Sequence, residues 1–132
     1  MEQVEIDLRP RCDDGTLPEK PLTQWYNWLE DATTRGSKSI AYLPNTTQIL
    51  RAQGFVDIEE EIIRLPINTW STDPHEKDVG RWYNLGLCEG LEALSLGPLT
   101  RVYQWPADDV RRLVGEVKTA ICNRNYHVYN NL

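Results

Sequence analysis

Between Trp70 and Tyr83 the chain gathers the side-chain types needed for acid–base chemistry on an apolar molecule: Trp70, Asp73, His75, Glu76, Asp78, Arg81, Trp82 and Tyr83. Aromatic rings offer a broad apolar wall, and one titratable group at its rim would move a proton. His75 is the first candidate, because an imidazole in an exposed first helical turn is the side chain best suited to accept and donate a proton. Glu76 and Asp78 are the alternative acids or bases. Trp70, Arg81, Trp82 and Tyr83 are the candidate substrate contacts, joined by Trp25 and Tyr26 earlier in the chain. The plainer account makes Asp73 and Glu76 helix caps, leaves His75 solvated, and packs Trp82 and Tyr83 in the core.

The other reactive residues point less clearly to chemistry. His127 lies between Tyr126 and Val128, where it could face a pocket with Tyr129. A hydrogen-bonded structural histidine is the stronger reading there. Glu59-Glu60-Glu61 reads as a solvated strand face. Two histidines among scattered carboxylates make no metal-ligand pattern, so no metal site is expected. There is no nucleophile elbow and no Ser/His/Asp or Cys/His signature. Nor is there a glycine-rich loop of the kind that cradles a nucleotide or S-adenosylmethionine, so no cofactor is expected. Cys12, Cys88 and Cys122 are odd in number and widely spaced, which reads as reduced thiols in a cytosolic protein. Cys88, in mid-helix beside the apolar stripe, is expected to be inert.

These residues sit in a chain of 132, a length that suits one domain with one core. The formal net charge of −6 would repel a polyanion, so nucleic acid is not an expected partner. No apolar run approaches the roughly 20 residues of a membrane span, and Met1-Glu2-Gln3-Val4-Glu5 has no signal-peptide pattern, so a cytoplasmic location is expected. Five Trp and six Tyr against one Phe favour rings that carry both a flat face and a polar handle.

Alternation of Val4, Ile6 and Leu8 with Glu5, Asp7 and Arg9 predicts a strand over 4–9. Pro10 to Pro18 is a loop, with Asp-Asp-Gly as its turn. Leu22, Trp25, Tyr26, Leu29 and Ala32 predict one face of a helix from about Pro21 to Arg35, stopped by Gly36. Asn45 and Gln48, at capping-box spacing, start a short helix over 46–53. Residues 55–67 read as a long strand with a bend near Glu61-Ile62, and Pro66 fits its end. Asp73, Pro74 and Glu76 open a helix from Pro74 to Ser95. Its stripe is Val79, Trp82, Tyr83, Gly86, Leu87, Gly90, Leu91 and Leu94, with Gly86 and Gly90 allowing another backbone to approach. A short helical turn comes after Gly97-Pro98. Pro106 starts the last helix, whose buried face is Val110, Leu113, Val114, Val117 and Ile121. The run 126–130 reads as a final strand.

Several of these stretches carry a family resemblance. They are Glu5-Ile6-Asp7-Leu8, Asp13-Asp14-Gly15-Thr16-Leu17-Pro18, Ala52-Gln53-Gly54-Phe55-Val56-Asp57 and Leu65-Pro66-Ile67 to Trp70. Lys77 to Gly80, Gly90-Leu91-Glu92, Leu99-Thr100-Arg101, Trp105 and His127-Val128-Tyr129 complete the set. In order and spacing they resemble the C-terminal half of fungal S-adenosylmethionine-dependent methyltransferases of the LaeA-like kind. The likeness covers nearly the whole chain. It implies an α/β fold, a truncated class I methyltransferase-like unit with a small mixed sheet of about three strands and four to five helices. Residues 4–9, 55–67 and 126–130 would be the family's fifth, sixth and seventh strands, and Trp70 to Tyr83 would cap the substrate cleft. The cofactor-holding half has no counterpart in these 132 residues.

Two functions emerge as expectations. The first is a cofactor-independent enzyme of fungal natural product biosynthesis, folding an apolar polyene or polyketide-like substrate for a cyclisation, isomerisation or pericyclic step. The second is a non-catalytic pseudo-methyltransferase that binds a partner chain in a regulatory role. A strand at Val4–Leu8 without its neighbour would leave an open edge. The expected partner is therefore a second copy of the chain, or else a methyltransferase-like chain.

Overall fold

All five residues of the first predicted stripe, Leu22, Trp25, Tyr26, Leu29 and Ala32, are buried. The computed structural model describes residues 1–132. Leu22 lies in a helical turn, Glu19–Thr23, that leads into α1 (Gln24–Arg35). The other four lie on one side of α1, as a 3.6-residue period requires. The elements in chain order are β1 (Asp7–Arg11), α1, α2 (Thr46–Ala52), β2 (Arg64–Pro66), α3 (Pro74–Val102), α4 (Ala107–Cys122) and β3 (Tyr129–Asn131). The architecture is α/β, with four helices and three strands.

The strand order is β1-β3-β2, and β3 runs antiparallel to both neighbours. Both ladders are therefore antiparallel, where a mixed sheet was expected. β1 and β2 run parallel to each other without touching. Their carboxyl ends reach the same margin of the sheet, where β3 begins: Arg11 and Pro66 both pair with Tyr129.

The strands are shorter than the alternation predicts, and shifted. The first spans Asp7–Arg11, leaving Val4 and Ile6 exposed before it. β1 does lie at a sheet edge. The long strand over 55–67 shrinks to Arg64–Pro66, so there is no bend within it at Glu61-Ile62. A ladder needs a partner, and β3 supplies only three residues, with one further backbone pair between Ile63 and Leu132. Pro66 ends β2, as its missing N–H requires. The final strand begins at Tyr129, three residues later than its sequence pattern suggests.

α4 buries Val110, Leu113, Val114, Val117 and Ile121 as the stripe predicts, and Asp108 and Asp109 occupy its first turn. No glycine stops it. Instead the Ile121 carbonyl accepts hydrogen bonds from two side-chain amides, Asn68 Nδ2 at 3.1 Å and Asn84 Nδ2 at 3.0 Å. These satisfy backbone acceptors that a helix end otherwise leaves open. α2 forms without the expected Asn45 cap. Asn45 has φ −100° and ψ 16°, outside the extended region a capping residue needs.

α3 departs most from expectation. Its start is as predicted: the Asp73 carboxylate accepts from Glu76 N at 2.8 Å, with Pro74 next. The helix does not stop at Ser95; it runs through Gly97 and Pro98 to Val102. Pro98 forfeits one backbone hydrogen bond. Burial of Leu99, together with packing of Val102, Tyr103 and Trp105 against the core, outweighs that loss. Of the predicted stripe, Leu91 is buried and Tyr83, Leu87 and Leu94 pack against the core, but Trp82 is exposed; Gly80, Ser95 and Leu99, outside that stripe, are buried as well. Gly86 and Gly90 have open space where a Cβ would stand. The close approach comes at Gly80, where a Cβ would lie 2.1 Å from the Asn68 carbonyl oxygen. Inside, Trp25 Nε1 donates to Ser95 Oγ at 2.8 Å, and Ser95 Oγ donates to the Leu91 carbonyl at 2.6 Å. This fastens α1 to α3 through satisfied polar atoms.

Candidate functional site

The carboxyl ends of β1 and β2 and the start of β3 share one margin of the sheet. At that margin three segments converge: residues 12–16 after β1, 67–70 after β2, and 126–128 before β3. Gly15, with φ +77°, lets the chain turn back after Asp14. Asp14 Oδ1 then accepts from Thr16 N at 3.1 Å, Thr16 Oγ1 at 2.8 Å and the Cys12 thiol at 3.0 Å. Its other oxygen meets His127 Nδ1 at 2.5 Å. The loop is tied to the last strand a second time, by His127 N donating to Thr16 Oγ1 at 2.8 Å.

With so many donors, Asp14 favours its charged form. The Cys12 thiol, then the Thr16 hydroxyl, then His127 hold its carboxyl well below the usual carboxylate range. A carboxylate only accepts, so His127 Nδ1 carries the proton between them. The other ring nitrogen has no partner in the chain, and the side chain is 40% exposed. Trp70 packs beside this imidazole, with ring centroids 5.2 Å apart and planes tilted by 31°. Trp70 Nε1 donates to the Val128 carbonyl at 2.8 Å, which fixes the indole. Next to them Asp13 accepts from Tyr129 Oη at 2.8 Å and pairs with Arg64 at 3.0 Å, while Arg64 lies over the Tyr129 ring. A histidine oriented by a carboxylate and open on its far side can exchange a proton with a molecule resting on Trp70.

The fold disperses most of the residues singled out from sequence. Glu76 lies beneath the helix start, its carboxylate accepting from Ser71 Oγ at 2.6 Å while Asp73 caps its N–H. His75 is solvent-exposed in the first turn of α3. Asp78 and Arg81 form an exposed ion pair at 2.9 Å. Trp82 is 70% exposed. Tyr83 donates to Asn130 Oδ1 at 3.0 Å, and burial pushes its hydroxyl well above the ordinary tyrosine range. Trp25 and Tyr26 are core residues. Of the nine candidate catalytic and contact residues, Trp70 alone joins the Asp14–His127 margin.

Two concave regions bear on ligand size. One is an apolar cavity of about 10 Å³ lined by Leu22, Trp25, Leu91 and neighbours, with room for about one water. The other is an open groove of about 550 Å³ lined by none of the nine. Exposed Val4, Phe55, Val56, Ile62 and Ile63 lie along it. Seven carboxylates, from Glu2, Glu5, Asp7, Asp57, Glu59, Glu60 and Glu61, also lie along it, against one cation, Arg11. Glu60 is held there by Tyr42 Oη and Thr47 Oγ1, each at 3.0 Å.

The comparisons decide the family. The secondary metabolism regulator LAE1 of Cochliobolus heterostrophus is 57% identical over 134 aligned residues, which cover 100% of this chain and 44% of that protein. The chain is a relative of the LaeA-type regulators. The secondary metabolism regulator laeA of Monascus pilosus is 46% identical over 98% of the chain and 36% of its own length. The protein-methionine methyltransferase laeA of Emericella nidulans is 44% identical over 98% of the chain and 35% of its own length. The chain thus spans less than half the length of these LaeA-type relatives. No family model matches it. No solved structure matches it.

These relatives overturn the expectation of a cofactor-free cyclase, isomerase or pericyclase. The LaeA-type proteins are named as regulators and, in one case, as a protein methyltransferase. Asp14, Cys12, Thr16 and Asp13 escaped the reading of single residues because Asp-Asp-Gly looks like a turn and nothing more. A signal was present all the same. The loop 13–18 and the run His127–Tyr129 were both among the stretches that carried the LaeA-like resemblance, and the fold brings the two together.

Proposed function

We propose that residues 1–132 serve as a protein-contacting part of a LaeA-type regulator of secondary metabolism, not as a small-molecule catalyst. The observation that carries this reading is 57% identity to LAE1 along the whole chain. The surface agrees with it. Apolar side chains lie along an open, acidic groove, and the apolar cavity beside Trp25 and Leu91 has room for about a single water. The free side of β1 offers a second docking edge, for another copy of the chain or a methyltransferase-like chain.

The test is a graft. These 132 residues replace the matching segment of LAE1 in a Cochliobolus heterostrophus strain that lacks its own copy. Restored secondary-metabolite output is the expected result. A graft that accumulates and folds yet restores nothing would count against the proposal. The solution mass of the isolated chain, by sedimentation at micromolar concentration, should exceed that of one chain; a monomer would remove self-association as the role of the β1 edge.

The Emericella relative supports a second reading, in which the longer protein transfers methyl groups and the Asp14–His127 pair stands beside its target. A graft into that relative with His127→Asn should incorporate less methyl label into protein than the unmodified graft. Equal incorporation would place His127 outside the reaction.

A further inference from the structure

α3 and α4 bring together two thiols that lie 34 residues apart in sequence: Cys88 Sγ and Cys122 Sγ are 3.9 Å from each other. Cys122 is the last residue of α4 and is exposed, and Cys88 is half-buried beneath it. A third group holds both sulfurs in place. Asn84 Oδ1, one helical turn before Cys88, accepts from the Cys88 thiol at 3.8 Å and from the Cys122 thiol at 3.7 Å. The Asn84 amide cannot rotate freely, because its Nδ2 donates to the Ile67 carbonyl at 2.8 Å and the Ile121 carbonyl at 3.0 Å. The side chain that caps the end of α4 therefore also fixes the acceptor that collects the two thiols. Cys12 takes no part; its thiol is bonded to Asp14.

A disulfide needs sulfurs about 2.05 Å apart, so each must move by roughly 1 Å. Rotation of each side chain about its Cα–Cβ bond moves Sγ by an amount of that order. The exposed member is reached first by a solute, and the recessed member is placed to attack it next. That order suits exchange with a low-molecular-weight disulfide.

We propose that Cys88 and Cys122 are a redox-active dithiol that closes into a disulfide between α3 and α4 by exchange with a glutathione-type disulfide. In the first step the Cys122 thiolate attacks one sulfur of oxidised glutathione. A Cys122–glutathione bond forms, and one glutathione thiolate leaves. In the second step the Cys88 thiolate attacks Cys122 Sγ. The Cys88–Cys122 bond forms, and the second glutathione thiolate leaves. The two cysteine protons pass to the two departing thiolates. The protein loses two electrons and two protons, and one oxidised glutathione becomes two reduced ones. Closure is slow at neutral pH, because burial and the neighbouring Cys122 push the Cys88 thiol up to about 11.

The test incubates the chain in oxidised and reduced glutathione at fixed ratio, quenches with acid, alkylates, and reads intact mass with a peptide map. In the wild type, Cys88 and Cys122 should become protected from alkylation together, with no glutathione attached and the mass of two hydrogens lost. Cys12 should not appear in the linked peptide. In Cys88→Ser the glutathione should stay on Cys122, because nothing resolves it. In Cys122→Ser, Cys88 should remain largely alkylatable. Circular dichroism checks that both variants fold. A wild type in which glutathione stays on Cys122 beside a free Cys88 overturns the proposal. So does a linked peptide containing Cys12, or two free thiols under conditions where Cys88→Ser already carries glutathione.

Discussion

At single residues the immediate surroundings decide what a substitution does, and three positions give clear expectations. Gly80 faces the Asn68 carbonyl so closely that a Cβ would sit 2.1 Å from oxygen and 2.9 Å from carbon. Backbone on both sides leaves nothing flexible to yield. Gly80→Ala should destabilise the fold by about 3 kcal/mol in urea unfolding, at the upper end of overpacking costs. Gly86→Ala has open space and should stabilise by roughly 0.5–1 kcal/mol through helix propensity. Asp14 supplies the pH dependence. Its folded-state titration lies below the value of 3.8 it would have when unfolded. Its contribution is therefore complete above about pH 4 and is lost as the pH falls through the lower folded value. Asp14→Asn should melt below the wild type near neutrality, and the two Tm curves should converge in acid. A gap of constant size down to about pH 2 would show that its charge adds nothing.

At the scale of elements, the join between α1 and α3 rests on apolar burial plus one polar relay. Ser95→Ala removes the acceptor of Trp25 Nε1 and leaves that N–H buried without a partner. A loss of about 1–3 kcal/mol is expected in chemical denaturation. Tryptophan fluorescence should report the change in the Trp25 environment. A Ser95→Ala protein as stable as the wild type would mean that a water or a shifted side chain replaces the hydroxyl. The elements also show how far sequence could be read. The stripes of α1 and α4 were legible because each keeps a single apolar face over its length. The stripe of α3 was misread at Trp82, whose large apolar ring was counted as inward when it stands in solvent. Beside Tyr83, Leu87, Leu91 and Leu94 of that stripe, the small and polar residues Gly80, Asn84 and Ser95 also touch other elements. The end of α3 was misread for a related reason. Gly97-Pro98 is a strong local stop, but Leu99, Val102 and Tyr103 beyond it have a core to pack against.

At the scale of the whole molecule, the open groove sets seven carboxylates beside exposed apolar side chains, a surface complementary to cations and apolar groups. No helix is long and apolar enough to cross a membrane. These 132 residues contain no glycine-rich loop, so the isolated chain should give no binding heat with S-adenosylmethionine in calorimetric titration. Micromolar binding would mean that a different cradle exists within the chain. A non-catalytic pseudo-methyltransferase in a regulatory role was the second of the two expectations from sequence. It is the one that the relatives, which match this chain along its whole length, support better.

What the sequence determined by itself was what short-range physics controls. Caps, turns, the α1 and α4 faces, the ends set by Pro66 and Pro74, and the order of motifs shared with LaeA-type proteins all depend on residues a few positions apart. Tertiary structure decided which distant residues meet. Asp14 reaches His127, Cys88 reaches Cys122, and Gly80 reaches Asn68. It also decided that β3 would lie between β1 and β2. None of these contacts leaves a periodic trace in the chain. Each is a pairing between separate elements, selected because the whole core must close before any one of them can form.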